Sequence, residues 1–326
     1  MLTCMNILRW LFSHLLLIAL TTALLGGHEC HAQFTGAYER YARGDPRGAI
    51  AALKEQLEGS SDELSGVERG VAWNLLGSAY QTIEEFQEAR RCYENSLRIL
   101  REIANARLDY AAALMNMASL ELTVGDIAAA KAMQLKLRQL YGTDAYHSGL
   151  ARVANDLALI DLTEKNVRGA RRETEEAFRE AALAGTLSDD DYAPMYVLDG
   201  SVTEAEGDPH GAIAAYNKAI ELWTRGHGPR YYMLITAYGL RAGAREAIGE
   251  TAEGIADVKA ALALTEQISG RDSIAYYSAE LRYAKLLRKQ GEKQEAARME
   301  KVARDGIAAL SRKQCNGCTI SAESFR

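Results

Sequence analysis

Side chains with the chemistry of an active centre are few in this chain and far apart. Cys315 and Cys318 form a C-x2-C pair near the C-terminus. That spacing suits a disulfide, a pair of free thiols, a redox couple or half of a metal site. A metal would need two further ligands, and none lies nearby in the sequence. A thioredoxin-like couple would need a βαβ context, which is absent. No His follows Cys318, so haem attachment of the c type is excluded. His147, His210 and His227 fall at separate joins and turns. Asp189, Asp190 and Asp191 form an acidic run without calcium-loop spacing, and negative charge at a helix start accounts for it. No HExxH, GxSxG or P-loop is present. The sequence therefore predicts a non-enzymatic protein with no catalytic residue, metal, cofactor or small-molecule substrate.

Small residues recur instead, with a period that dictates the architecture. Ala37, Gly77, Ala118, Ala158, Gly200, Ala242 and Ala284 are spaced by 40, 41, 40, 42, 42 and 42 residues. A second series follows twelve residues behind: Ala49, Ala89, Ala130, Ala170, Ala212, Gly254 and Ala296. Two in-register small positions per period are what a helical hairpin needs where its helices cross closely. The stretch Gly44-Asp-Pro-Arg-Gly-Ala-Ile-Ala-Ala nearly repeats as Gly207-Asp-Pro-His-Gly-Ala-Ile-Ala-Ala. Its glycine suits a left-handed helix end, its Asp an N-cap and its Pro the first helical position. Gly125, Gly249 and Gly291 fall at the same turn position. Pro194 is placed in a first helical turn. No run shows strand alternation, and alanine is abundant.

The chain has 326 residues, 48% hydrophobic and 25% charged, the composition of a folded soluble protein. A net charge of −6 argues against a general nucleic-acid binder. Arg9 precedes an apolar stretch from Trp10 to Leu25, and small residues end at Ala32. This reads as a secretory signal peptide over residues 1–32, cut near Ala32 before Gln33, from a start at Met1 or Met5. The mature protein is then periplasmic or extracellular, in a compartment that permits disulfides. The alternative is an uncleaved membrane anchor over residues 10–25. Residues 33–312 form one repeat domain, and residues 313–326 a tail holding Cys315 and Cys318.

Trp73-x2-Leu76-Gly77-x2-Tyr80, followed by Ala89-x3-Tyr93, resembles the tetratricopeptide (TPR) helical hairpin. The pattern continues through Ala118, Ala158, Gly200 and Ala212. The period exceeds the usual 34 residues and is similar to the longer kinesin-light-chain type. HEAT and armadillo repeats share such a period, but do not explain these residues at these offsets. The resemblance implies an all-α, right-handed superhelical solenoid of about seven antiparallel hairpins. Trp73, Leu76, Gly77, Tyr80, Ala89, Tyr93, Ala118, Ala158, Gly200 and Ala212 would be packing positions. Arg90-Arg91 and Arg171-Arg172 read as a solvated face with pairs one turn apart.

The resemblance further implies a protein or an extended peptide as partner, held by the first helices of the hairpins. The longer repeats carry asparagines just before the small residue, and these can hold a peptide backbone. Here Asn74, Asn116 and Asn155 stand at or near that place, the last followed by Asp156. Arg282, Lys285 and Arg288 would make one end of the groove basic. The clamp that captures C-terminal carboxylates is not matched. The function expected is an exported, non-catalytic binding scaffold. The alternatives are a membrane-anchored accessory of an envelope assembly and a thiol-active protein using Cys315 and Cys318.

Overall fold

The computed structural model describes residues 34–43, 45–59, 64–229 and 231–314. The signal-peptide and anchor segments, Gly44, Cys315 and Cys318 lie outside these residues. Fourteen helices and no strand occur among the described residues. They pair as seven hairpins: α1 (Thr35–Ala42) with α2 (Pro46–Gly59), α3 (Gly66–Thr82) with α4 (Phe86–Leu100), α5 (Arg107–Val124) with α6 (Ile127–Gly142), and α7 (His147–Thr163) with α8 (Val167–Ala184). Then follow α9 (Asp189–Ala205) with α10 (Pro209–His227), α11 (Leu234–Ala247) with α12 (Thr251–Ser269), and α13 (Ile274–Gln290) with α14 (Lys293–Gln314). The chain divides into two compact units, one up to Thr186 with α1–α8 and one from Leu187 with α9–α14. Within each unit every hairpin stacks on its sequence neighbour, the packing of a tetratricopeptide-like helical solenoid.

Both series of small residues are buried where the two helices of a hairpin cross. Ala49, Ala89, Ala118, Ala130, Ala158, Ala170, Ala212, Ala284 and Ala296 are each 0% exposed. Two hairpins carry glycine for a specific reason. A Cβ on Gly77 would lie 2.6 Å from Tyr93 Cε1, and one on Gly200 would lie 2.5 Å from Tyr216 Cε1. The tyrosine ring fills the space that alanine side chains fill elsewhere. Trp73, Leu76 and Tyr80 pack with the core of the first hairpin. Burying such apolar surface contributes about 25 cal/mol per Å² and holds each repeat on the next.

In the six hairpins after the first, the inner turn has one left-handed residue, seven positions after the small residue. Gly125, Gly207, Gly249 and Gly291 fill it, with φ between 84° and 97°. In two hairpins the position is not glycine: Glu84 has φ 64° and Lys165 has φ 63°. The next residue begins the second helix. Asp45, Asp126, Asn166 and Asp208 each accept a hydrogen bond there from a backbone N–H, at 2.8–3.1 Å. Glu85 and Glu250 stand at the same place without a side-chain cap. An Asp or Asn carbonyl is at the right reach for the third N–H of the helix, and the longer Glu overshoots it.

Two local expectations are corrected. Pro194 occupies the sixth position of α9, not its first turn, and the helix runs through it. Proline has no N–H to offer the preceding turn there. Arg90 does not pair within its own helix. It reaches Glu121 of α5 at 2.7 Å, and Lys131 repeats the device one hairpin later on Asp161 of α7, at 3.0 Å.

Candidate functional site

The inner layer of the first unit is built from the first helices of its hairpins. α3 and α5 touch directly there, and α5 and α7 carry the same positions in the following repeats. Asn74 on α3 is half-buried. Asn116 on α5 is only 6% exposed, and its Nδ2 donates to Asn74 Oδ1 at 3.0 Å and to Ser78 Oγ at 3.4 Å. Ser78 Oγ donates to the Asn74 carbonyl at 3.2 Å. Tyr93 Oη lies 3.2 Å from Ser78 Oγ and donates to Gln81 Oε1 at 2.8 Å. A polar network thus runs from α4 through α3 to α5, inside an otherwise apolar layer.

This arrangement divides the three asparagines. Asn116 is occupied inward and orients Asn74. That bond uses Asn74 Oδ1 and leaves its Nδ2 with no acceptor among the described residues. Asn155 on α7 is half-buried and makes no side-chain hydrogen bond to the other described residues. Two amides are therefore placed to meet an acceptor brought by another molecule. Asp156, the neighbour of Asn155, accepts from Gln134 Nε2 of α6 at 2.7 Å.

The second unit repeats part of the network with a charge added. Tyr216 Oη donates to Glu204 Oε2 at 3.2 Å and lies 3.3 Å from Ser201 Oγ. Glu204 stands where the first unit has Gln81. Burial pushes its carboxyl up, and Tyr216 and the nearby Arg282 pull it back. Arg282 Nη1 donates to the Gly239 carbonyl at 2.6 Å, and a Cβ at Gly239 would meet that nitrogen at 2.8 Å. Lys285 and Lys289 both reach Glu246 Oε1, at 3.0 and 2.7 Å. Burial pushes Glu246 up, but the bonds from Lys289 and Lys285 outweigh it and hold the carboxyl below its usual range. Arg288 pairs with Glu300 at 2.6 Å. The structure places Arg282, Lys285 and Arg288 together on α13 and engages all three within the unit.

Of the residues with catalytic character, His210 is exposed at the start of α10, and the others among the described residues are engaged. His147 Nδ1 lies 2.7 Å from Glu180, and His227 Nε2 lies 2.6 Å from Asp190. Asp189 pairs with Arg225 at 2.7 Å, and Asp191 Oδ2 accepts from the Ser188 hydroxyl at 2.8 Å. The acidic run thus caps and braces the start of α9. Cys92 is buried, and burial pushes its thiol up to about 12, which keeps it protonated and a poor nucleophile. No group of three or more His, Cys, Asp or Glu with metal-binding geometry occurs among the described residues. Sequence reasoning missed the Arg90–Glu121 and Lys131–Asp161 pairs. The signal was there: both lie in register with the two small-residue series.

The geometry can be set beside known proteins. Residues 68–143 match the tetratricopeptide repeat family. No curated relative matches the chain in sequence. Among solved structures, the apo form of RapI is similar with a TM-score of 0.64 at 14% identity, over 86% of this chain and 99% of that one. The Rap conjugation gene regulator of plasmid pLS20, in complex with the Phr* peptide, has a TM-score of 0.64 at 13% identity, over 89% and 77%. Aspartyl phosphate phosphatase F from Bacillus subtilis has a TM-score of 0.65 at 12% identity, over 87% and 71%. At such identities the likeness is one of fold. Residues 68–143 are thus tetratricopeptide repeats by sequence, and the helical hairpins of the other described residues share that fold.

Proposed function

We propose that the protein is a non-catalytic scaffold that binds another protein or an extended peptide on the inner layer of its first unit. The observation that carries this reading is the pair Asn74 and Asn155. Both are half-buried amides on first helices, and both have a donor with no acceptor among the described residues. A peptide unit supplies the missing carbonyl. The pLS20 regulator, similar in fold, is a peptide complex, and this supports the reading by analogy. The phosphatase named above shares the fold at 12% identity, and in this chain His147 and His227 are engaged in structural pairs with Glu180 and Asp190. Export through the N-terminal apolar stretch is part of the proposal, and N-terminal sequencing of the protein made in cells tests it.

The binding test is a capture experiment followed by titration. The chain without residues 1–32 is used to capture partners from envelope and secreted fractions, and the partner's affinity is measured by calorimetry. Asn74→Ala and Asn155→Ala should each weaken binding by about 0.5–1.5 kcal/mol, the net contribution of a neutral hydrogen bond. Circular dichroism controls for folding. Unchanged affinity in the double variant would move the binding surface away from α3 and α7.

A further inference from the structure

Asp156 stands two residues before Ala158, as Asn116 stands two residues before Ala118. Asn116 turns toward α3. Asp156 also reaches the preceding hairpin, but its second helix, α6, where Gln134 is 0% exposed and donates Nε2–H to Asp156 Oδ2 at 2.7 Å. The other end of that amide is the anomaly. Gln134 Oε1 is shut off from solvent and has no hydrogen-bond partner among the described residues. A buried carbonyl left unpaired costs about 1–3 kcal/mol. Oε1 and Nε2 sit on the same carbon, so the group that meets one is within reach of the other. A carboxylate has only acceptors and cannot satisfy Oε1. A protonated carboxyl can: its O–H donates to Oε1 while its carbonyl accepts from Nε2–H.

We propose that Asp156 holds a proton in the folded protein near neutral pH and closes a two-hydrogen-bond ring with the Gln134 amide. The ring latches α6 to α7 beside Asn155, and it opens when the proton leaves. The surroundings fit. Burial pushes the Asp156 carboxyl up to about 7, against the pull of Gln134 and of Arg152, one turn earlier on α7. From α6 the facing group is Gln134. Lys131 on the same helix is engaged further along, with Asp161 and Glu164. On α8 the buried carboxylate Glu173 is paired with Arg138.

An unfolded Asp releases its proton near pH ~3.9. The folded chain keeps it longer, so between that pH and the folded value the native state binds more protons. Stability from this site is then full in acid and falls as pH rises through about 7.

The test uses the full chain labelled with carboxyl-13C aspartate. Infrared difference spectra and carbon NMR follow protonated carboxyl from about pH 5 to about pH 9, for the native protein and Asp156→Asn. The expected result is a protonated-carboxyl signal that is half lost near pH 7 and missing in the variant. The melting temperature of the native chain should fall relative to that of Asp156→Asn from about pH 5 to about pH 7 and level off above it. Absence of any aspartate titrating near neutrality overturns the proposal, as does a titration that survives in Asp156→Asn. If the variant fails to fold, the labelled native protein still decides, because ordinary aspartates titrate in the acid range.

Discussion

Gly77 and Tyr93 are a single packing unit: a Cβ on the glycine would lie 2.6 Å from Cε1 of the tyrosine ring, on the facing helix of its hairpin. Gly200 and Tyr216 repeat the relationship, down to the hydroxyl that reaches Ser201 and Glu204 where Tyr93 reaches Ser78 and Gln81. Gly77→Ala and Gly200→Ala should therefore each destabilise by about 1–3 kcal/mol, the usual range for overpacking. The Gly77→Ala, Tyr93→Leu double variant should recover part of the loss. Urea unfolding of the native chain and the three variants measures this. A Gly77→Ala midpoint equal to the native one would show that the ring does not sit against the glycine.

Glu84 and Lys165 should respond in the opposite direction. Each holds a left-handed φ, near 64° and 63°, at the turn position that glycine fills in four other hairpins. A left-handed conformation costs a non-glycine residue about 1–2 kcal/mol, and glycine's extra freedom when unfolded offsets about 0.5–1 of that. Lys165→Gly is expected to stabilise by up to about 1 kcal/mol. Gly125→Ala, at φ 92°, should destabilise. A melting temperature that drops for Lys165→Gly would contradict this.

The Arg90–Glu121 pair gives a pH-dependent prediction. The Glu121 side chain is 1% exposed, and Arg90 reaches it at 2.7 Å. Burial pushes this carboxyl up, and Arg90 pulls it back. In Arg90→Met the folded carboxyl should keep its proton to higher pH than the unfolded one, which titrates near ~4.3. The folded state then binds more protons, so the variant loses stability relative to the native protein as pH rises from about 4 toward neutrality. In acid the two should converge. Thermal melts at several pH values check this, and a difference that stays constant with pH would refute it.

Asn116 should behave unlike its neighbours. Its amide is turned inward to Asn74 and Ser78. Asn116→Ala removes a nearly buried partner and is expected to cost about 1–2 kcal/mol of stability. Asn74→Ala should cost less. Equal, negligible effects in denaturant titrations would place Asn116 at the surface.

Much of the helical frame was legible in the sequence because close crossing leaves a mark on residue type. Ala118 and Ala158 are small for the same physical reason, and both are fully buried. Gly125, Gly249 and Gly291 were readable because a left-handed turn favours glycine. Glu84 and Lys165 were not, since a strained residue of ordinary type carries no compositional sign. Pro194 was misplaced because helix tolerance of a proline depends on its surroundings. The asparagines were visible as a pattern, but not their division of labour. Only the orientation of Asn116 toward α3 separates an inward brace from an outward amide. The basic residues of α13 looked available in sequence, and their acceptors lie on other helices or far along the chain: Gly239, Glu246 and Glu300.

The division into two compact units gives the protein a built-in pair of optical probes. Trp73 lies in the first unit, half-buried beside Asn74, and Trp223 lies in the second, fully enclosed. Trp73→Phe and Trp223→Phe variants would each leave one indole among the described residues. Emission from Trp73 would report on the surface proposed to meet a partner, and emission from Trp223 on the integrity of the other unit. Ligand binding and the unfolding of either half thereby become separable signals from two conservative variants, without an attached dye.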